Sequence, residues 1–95
     1  MFDLKDLTAE HFQPLVGTEI AIDSTDQTLT VEAVNLIKSP SPRGQPFSIT
    51  LHAPTGKSGP QGIYNLVHPD LGVLPMFLVP LEIKNGSLRF EAVFN

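Results

Sequence analysis

Histidines and nearby acids are the residues of this chain whose chemistry could support catalysis. His68 and Asp70 stand two positions apart, and a histidine oriented by a carboxylate is a common general base in hydrolases. His68 could work in this way with Asp70 or with Glu91. Residues two positions apart, however, reach the geometry of a catalytic triad only through an unusual turn. No convincing nucleophile or oxyanion site accompanies them. We therefore expect no catalytic residues and no enzyme activity, with a small hydrolase using His68 as the remote alternative.

Metal binding is the second chemistry that the histidines suggest. His52 and His68 fall at the ends of neighbouring predicted strands, so they could converge with His11. Nothing in their spacing requires this convergence, and the chain contains no cysteine that could supply a thiolate ligand. We expect no metal site and no cofactor.

The densest group of unusual side chains lies along and just beyond one predicted strand, and it comprises Gln61, Tyr64, His68 and Asp70. In one interpretation Tyr64 packs over a neighbouring strand, while Gln61 and His68 hydrogen-bond to loop backbone. In the other, the four residues contact a partner protein, because interfaces are enriched in aromatic rings with polar tips. These four are therefore the candidate partner-binding residues.

Short antiparallel strands must position these residues. From Thr18 onward, apolar and polar residues alternate with a period of two, and proline or glycine interrupts the pattern at regular intervals. Pro75 and Pro80 each remove a hydrogen-bond donor, so their strand is predicted to be an edge or to be interrupted. The dipeptide Asn85-Gly86 predicts a tight hairpin. The six predicted strands span residues 18–23, 28–37, 47–53, 63–68, 73–81 and 88–94.

The second predicted strand contains an irregularity. Leu29 and Val31 share one parity, whereas Val34 and Leu36 have the other. One inserted residue near Ala33 would produce this change, so we predict a bulge or bend there.

A short helix is predicted before the strands. Leu7 and Phe12 flank Thr8 with the spacing of a hydrophobic staple around an N-cap, so the helix should begin at Ala9. It should end within one or two turns, because Pro14 disfavours helical geometry at the residue before it.

Together these elements predict an all-β fold, a small barrel or compact sandwich of about six antiparallel strands whose one open end is covered by the helix. The chain of 95 residues has the size of one domain. That domain would comprise a lead-in over residues 1–17 and a sheet over residues 18–95. The predicted core consists of Ile20, Ile22, Leu29, Val31, Phe47, Ile49, Leu51, Phe77, Phe90 and Phe94.

Charge and hydropathy limit the classes of partner. Six basic against ten acidic residues give a net charge of −4, and the basic residues are scattered singly. Nucleic-acid surfaces need clustered cations, so we expect no nucleic-acid partner. The N-terminus has acids where a signal peptide would be basic, and no segment reaches 18 apolar residues. We therefore expect a cytoplasmic protein that binds no membrane.

Nearly the whole chain resembles a family of small uncharacterised bacterial proteins of about this length. The segments that carry the resemblance are LTAEHFQPLVGT, PFSITLHAP, PQGIYNLVHPDLG, MFLVPL and RFEAVFN. Members of that family are found beside proteins resembling phage tail-collar or tail-fibre components. The resemblance implies a structural or accessory role, and it brings no activity and no catalytic residues to carry over.

The leading functional hypothesis is a non-enzymatic interaction or assembly module. It would bind another protein, or a second copy of itself, through an exposed strand edge or through the region from Gln61 to Asp70. The alternative is a small-ligand-binding β-barrel, for which an internal cavity would be needed. A six-stranded barrel fills its interior with side chains, which disfavours that alternative.

Overall fold

The computed structural model describes residues 6–38, 45–53, 61–84 and 87–94, the side chain of residue 84 excepted. All six predicted strands are present, with ends that differ from the predictions by at most three residues. The predicted Asn85-Gly86 hairpin turn lies outside the described residues. The strands are β1 (Glu19–Ile22), β2 (Thr28–Leu36), β3 (Phe47–His52), β4 (Gly62–His68), β5 (Gly72–Lys84) and β6 (Ser87–Phe94).

The strands close into one antiparallel barrel. Their order around the barrel is β1-β2-β3-β6-β5-β4, and β4 pairs back onto β1 through Ala21 with Val67 and Ile22 with Leu66. The predicted all-β architecture is confirmed, and of the two predicted arrangements the barrel is the one formed. Closure gives every strand a neighbour on each side along part of its length, so a face of the sheet is the more continuous surface for association with another chain.

The predicted irregularity in β2 is confirmed. The pairing of β2 with β3 shifts register between Val31 and Ala33, which leaves Glu32 as the extra residue. Val31 is buried and pairs with Leu51, whereas Ala33 pairs with Thr50. The inserted residue thus explains why the apolar parity of β2 changes along its length.

The N-terminal helix begins at Ala9, as predicted, but it consists of two short 3₁₀ turns, Ala9–His11 and Gln13–Leu15. Thr8 is the N-cap, and its backbone N–H donates to His11 Nδ1 at 2.9 Å. Leu7 and Phe12, the predicted staple residues, are both buried in the core. A proline in the second turn prevents a longer regular helix.

The core fills the barrel, and one predicted member of it is wrong. Phe77 is 50 % exposed on the outside of β5, while its neighbours Met76 and Leu78 are buried. Ile22 and Phe94 are partly buried and pack against the core. Phe77 was predicted to face inward, but before the bulge of β5 the even-numbered residues are the ones that face inward. Buried residues that the sequence analysis did not assign to the core are Leu7, Ala9, Phe12, Ala53, Leu66, Leu74, Met76, Leu78, Leu88 and Ala92.

The strand β3 is buried on both faces, although its alternation predicted one solvated face. Ser48 and Thr50 point outward and are nevertheless buried. Both are short side chains in a strand that is flanked along its length by β2 and β6. Longer residues on these flanking strands, such as Glu91 opposite Thr50, cover them.

The proline-containing strand β5 is interrupted rather than an edge. Its residues 72–78 pair with β4, and its residues 79–84 pair with β6. The register with β6 shifts between Pro80 and Ile83. Each proline thus lies in a stretch of β5 that pairs with only one neighbouring strand. On the unpaired side of that stretch, the absence of a proline N–H costs no hydrogen bond between strands.

Candidate interaction face

The four candidate partner-binding residues do not share one surface. Gln61 is exposed just before β4, and Asp70 is exposed in the turn after it. Tyr64 is half-buried and points inward, with its ring centroid 5.6 Å from that of Phe90. His68 is buried at 3 % exposure. The structure brings together only His68 and Asp70, and it does so through the main chain.

Both ring nitrogens of His68 are held by backbone groups. The Nε2 atom lies 2.7 Å from the carbonyl oxygen of His11 and donates to it, because a carbonyl can only accept. The Nδ1 atom accepts from the backbone N–H groups of Asp70 and Leu71 at 3.0 and 3.2 Å. The ring also meets that of Phe12 edge-on, with centroids 5.3 Å apart. His68 therefore ties the turn after β4 and the N-terminal 3₁₀ turns to the barrel.

The outward side of the same two strands is apolar. Ile63 and Phe77 pair directly across β4 and β5, and Val67 pairs with Val73 in the same ladder. Directly paired side chains have Cβ atoms about 4.5 to 5.5 Å apart, so these residues form continuous surface. We call the following residues the outer apolar face: Ile63, Val67, Val73, Pro75, Phe77 and Val79.

This face is largely open to solvent. Ile63 is 63 % exposed, Phe77 50 % and Val73 42 %. A contiguous exposed apolar patch on a monomer is often functional.

The sequence analysis named no residue of the outer apolar face as a candidate for partner binding. In the segment from Gln61 to Asp70 it named the inward-facing Tyr64 and His68 and the exposed Gln61 and Asp70. The signal that could have found the outer face is the run of apolar residues at both parities in β5.

Beyond the bulge of β5, the outer surface carries charged side chains. Arg89 on β6 donates through Nη2 to Glu32 on β2 and through Nη1 to Glu82 on β5. Glu32 Oε1 also lies 3.2 Å from His52 Nδ1 on β3. The hydrogen bonds that Arg89 donates to the carboxylates of Glu32, first, and of Glu82 raise the pKa of Arg89 above its ordinary value. We call Glu32, His52, Glu82 and Arg89 the charged row. The bulge in β2 positions one of its carboxylates, that of Glu32.

A profile of the domain of unknown function DUF6916 matches residues 7–94 of the chain. The chain belongs to the DUF6916 family. This match agrees with the expectation of a small uncharacterised domain. No curated protein and no solved structure matched in the corresponding searches.

The DUF6916 barrel also has a surface cavity of about 320 Å³ between its N-terminal turns and the end of β2. Its lining is mixed, since apolar and polar side chains contribute. The Gln45 side chain beside it donates to the carbonyl oxygens of Ile37 and Pro46 at 3.1 and 2.9 Å. The lining residues are Leu7, Thr8, Ala9, Glu10, Gln13, Leu36 and Gln45.

In the part of the DUF6916 chain that the structure describes, no three histidine or acidic side chains cluster closely enough to hold a metal ion. The three histidines that might have converged have separate roles. His52 contacts Glu32, the side chain of His11 caps its own turn, and His68 binds backbone. No helix among the described residues is long and apolar enough to cross a membrane.

Proposed function

We propose that this protein is a non-enzymatic interaction or assembly module that binds protein through its outer apolar face. One observation carries the proposal: Ile63 and Phe77, which pair directly in the ladder between β4 and β5, are 63 % and 50 % exposed on the outside of the barrel. A large aromatic residue flanked by aliphatic ones is typical of the centre of a protein interface. The closed barrel supports a face rather than an edge as the docking surface.

The arrangement around His68 supports a role without catalysis. A general base needs a ring nitrogen that can take a proton from a substrate, and both nitrogens of His68 are occupied by backbone groups. The ring is buried between the barrel and Phe12. His68 therefore acts as a structural link in this proposal.

The proposed setting rests on the family resemblance. Small bacterial proteins of the resembling family lie beside proteins similar to phage tail-collar components, so we propose an accessory role in the assembly of a phage-tail-like structure in the bacterial cytoplasm. A small rigid barrel with one apolar face suits such a role, because it can cover a matching surface without rearranging.

Site-specific photo-crosslinking tests the proposed face. A benzophenone amino acid replaces Phe77 in cells that naturally express the protein, and crosslinked products are identified by mass spectrometry. The matched control carries the same group at Leu36, which is 56 % exposed and lies on β2. We expect a discrete protein adduct from position 77 and none from position 36. Equal crosslinking at both positions, or none at position 77, would contradict the proposal.

A second candidate function is the binding of a small ligand in the cavity lined by Leu7, Ala9 and Leu36. Its volume of about 320 Å³ is at the lower end of the range for ligand sites. Nuclear magnetic resonance titration with a library of small apolar acids and amides would test it. Saturable shifts confined to these residues would favour the ligand-binding function, and shifts spread over the outer apolar face would not.

A further inference from the structure

We infer that the partner covering the outer apolar face is a second copy of this chain, docked face to face about a two-fold axis. This inference rests on the proposed function and names the partner for it. The observations that carry it are the charge of the face, its shape and its area.

The outer apolar face has no charged member. Its only polar neighbour within the paired part of β4 and β5 is Asn65, opposite Pro75. Glu91 borders the face through its pairing with Val79. Asp23 borders the face on the other side, since its backbone N–H donates to the Asn65 carbonyl oxygen. The charges thus lie at the border, and a peptide recognised mainly by charge would find no complementary group on the face itself.

Net charge favours this face for self-association. The chain carries a net charge of −4, so two copies repel one another when their charged surfaces approach. An uncharged face lets two copies meet without placing like charges in contact. In a two-fold dimer each residue of the patch is used twice, so a uniformly apolar patch is automatically complementary to itself.

The shape of the face suits sheet-on-sheet packing. Val73, Pro75, Phe77 and Val79 alternate with inward residues along β5, so they form one outward row beside Ile63 and Val67 of β4. Two such faces can stack about 10 Å apart with interdigitated side chains, as the sheets of a β-sandwich do.

The area of the face sets the expected strength. A standard stable interface buries about 800 Å² on each partner, and six apolar side chains, of which Val67 is half-buried, provide only part of that. The remainder would come from a polar rim. We therefore expect a dimer with a Kd on the order of micromolar, which dissociates on dilution.

Sedimentation velocity between about 0.1 µM and about 100 µM, the range that brackets such a Kd, is the primary experiment. The wild type should shift from monomer to dimer over this range. Phe77→Lys places an unpaired charge within the interface and should raise the Kd at least about tenfold. Val16→Lys adds the same charge at a similarly exposed site outside β4 and β5 and should leave the Kd unchanged.

Disulfide trapping provides an independent readout. The chain contains no cysteine, so one introduced thiol reports on a single position. Under mild oxidation, Phe77→Cys should form covalent dimers at least about tenfold faster than Val16→Cys, because only the former faces its own copy across the axis.

The outcomes separate this inference from the proposed function. A wild-type chain that stays monomeric throughout, or dimers unaffected by Phe77→Lys, would overturn the two-fold dimer. If crosslinking at position 77 still captures a different protein, the interaction function stands and only the choice of partner was wrong. A monomer with no adduct at position 77 would refute both.

Discussion

The inward and outward faces of β4 and β5 are both largely apolar, but their surroundings are opposite. Inward, Leu66, Leu74 and Leu78 are fully buried. Outward, the paired Ile63 and Phe77 are half-exposed or more. Hydrophobicity alone therefore does not decide which face becomes the core of this barrel. Closure of the barrel determines which face is buried, because only one face of a curved sheet can point to the interior.

The outer surface itself divides at the bulge of β5. Before Pro80 it is apolar and uncharged, and beyond it Glu82 is bound by Arg89 in the charged row. Charges that neutralise one another across neighbouring strands need no external partner, whereas an exposed apolar patch is stabilised when it is covered. This contrast is why we propose the apolar part, and not the charged row, as the surface for assembly.

The largest effect on stability should come from truncating an aromatic side chain that points into the barrel. Phe90→Ala should reduce the free energy of unfolding by about 3 to 5 kcal/mol, the range for truncating a buried phenylalanine. Urea denaturation measured at a protein concentration well below the expected Kd of the dimer checks this value without a contribution from dimerisation.

The matched outward substitution sharpens the comparison. Phe77→Ala removes the same atoms from a half-exposed site and should change the stability of the monomer by no more than about 0.5 kcal/mol. Equal losses for the two phenylalanines would refute the distinction between the faces.

A smaller but substantial loss of stability is expected when His68, a buried polar residue of the inward face, is replaced. His68→Phe keeps a ring beside Phe12 but leaves the His11 carbonyl and two turn N–H groups without their partner. The free energy of unfolding should fall by about 2 to 4 kcal/mol, since each unsatisfied buried group costs about 1 to 3 kcal/mol and the turn is partly solvated. His52→Phe is the control and should have little effect, because the His52 side chain is 35 % exposed and its ring nitrogen contacts the solvent-accessible carboxylate of Glu32. An unchanged stability for His68→Phe would contradict the structural role of His68.

The smallest effect concerns the charged row. Arg89→Met retains the apolar stem and removes both contacts to Glu32 and Glu82. We expect a minor destabilisation at low salt that disappears near 1 M NaCl, where the Debye length is about 3 Å. Thermal unfolding at several salt concentrations measures it. A loss as large as that of Phe90→Ala, or one independent of salt, would mean that the row supports the barrel by packing rather than by charge.

Several local features could be predicted because their causes are local. The parity change between Val31 and Val34 required an inserted residue, and the bulge lies there. The staple residues around Thr8 located the start of the N-terminal turn at Ala9. Period-two alternation and proline or glycine breaks were sufficient to locate six strands. Each of these signals depends on residues only a few positions apart.

The candidate site was harder to predict, because its geometry depends on distant residues. The segment from Gln61 to Asp70 was singled out by its polar groups. In the structure, however, Tyr64 points inward toward Phe90, and His68 points inward toward the N-terminal turns. Which parity faces inward depends on pairing with β5 and β1. Neither pairing can be read from a single strand.

By itself, the sequence determined the all-β class, the strand positions, the bulge and the net charge of −4, since these depend on residue type and short-range spacing. Only the tertiary structure decided that β4 closes onto β1, that Phe77 lies outside and that Glu32, His52, Arg89 and Glu82 meet. The physical reason is that β5 is apolar on both faces. Burial then follows the curvature of the closed sheet and the register with its neighbours, and these arise only when all six strands assemble.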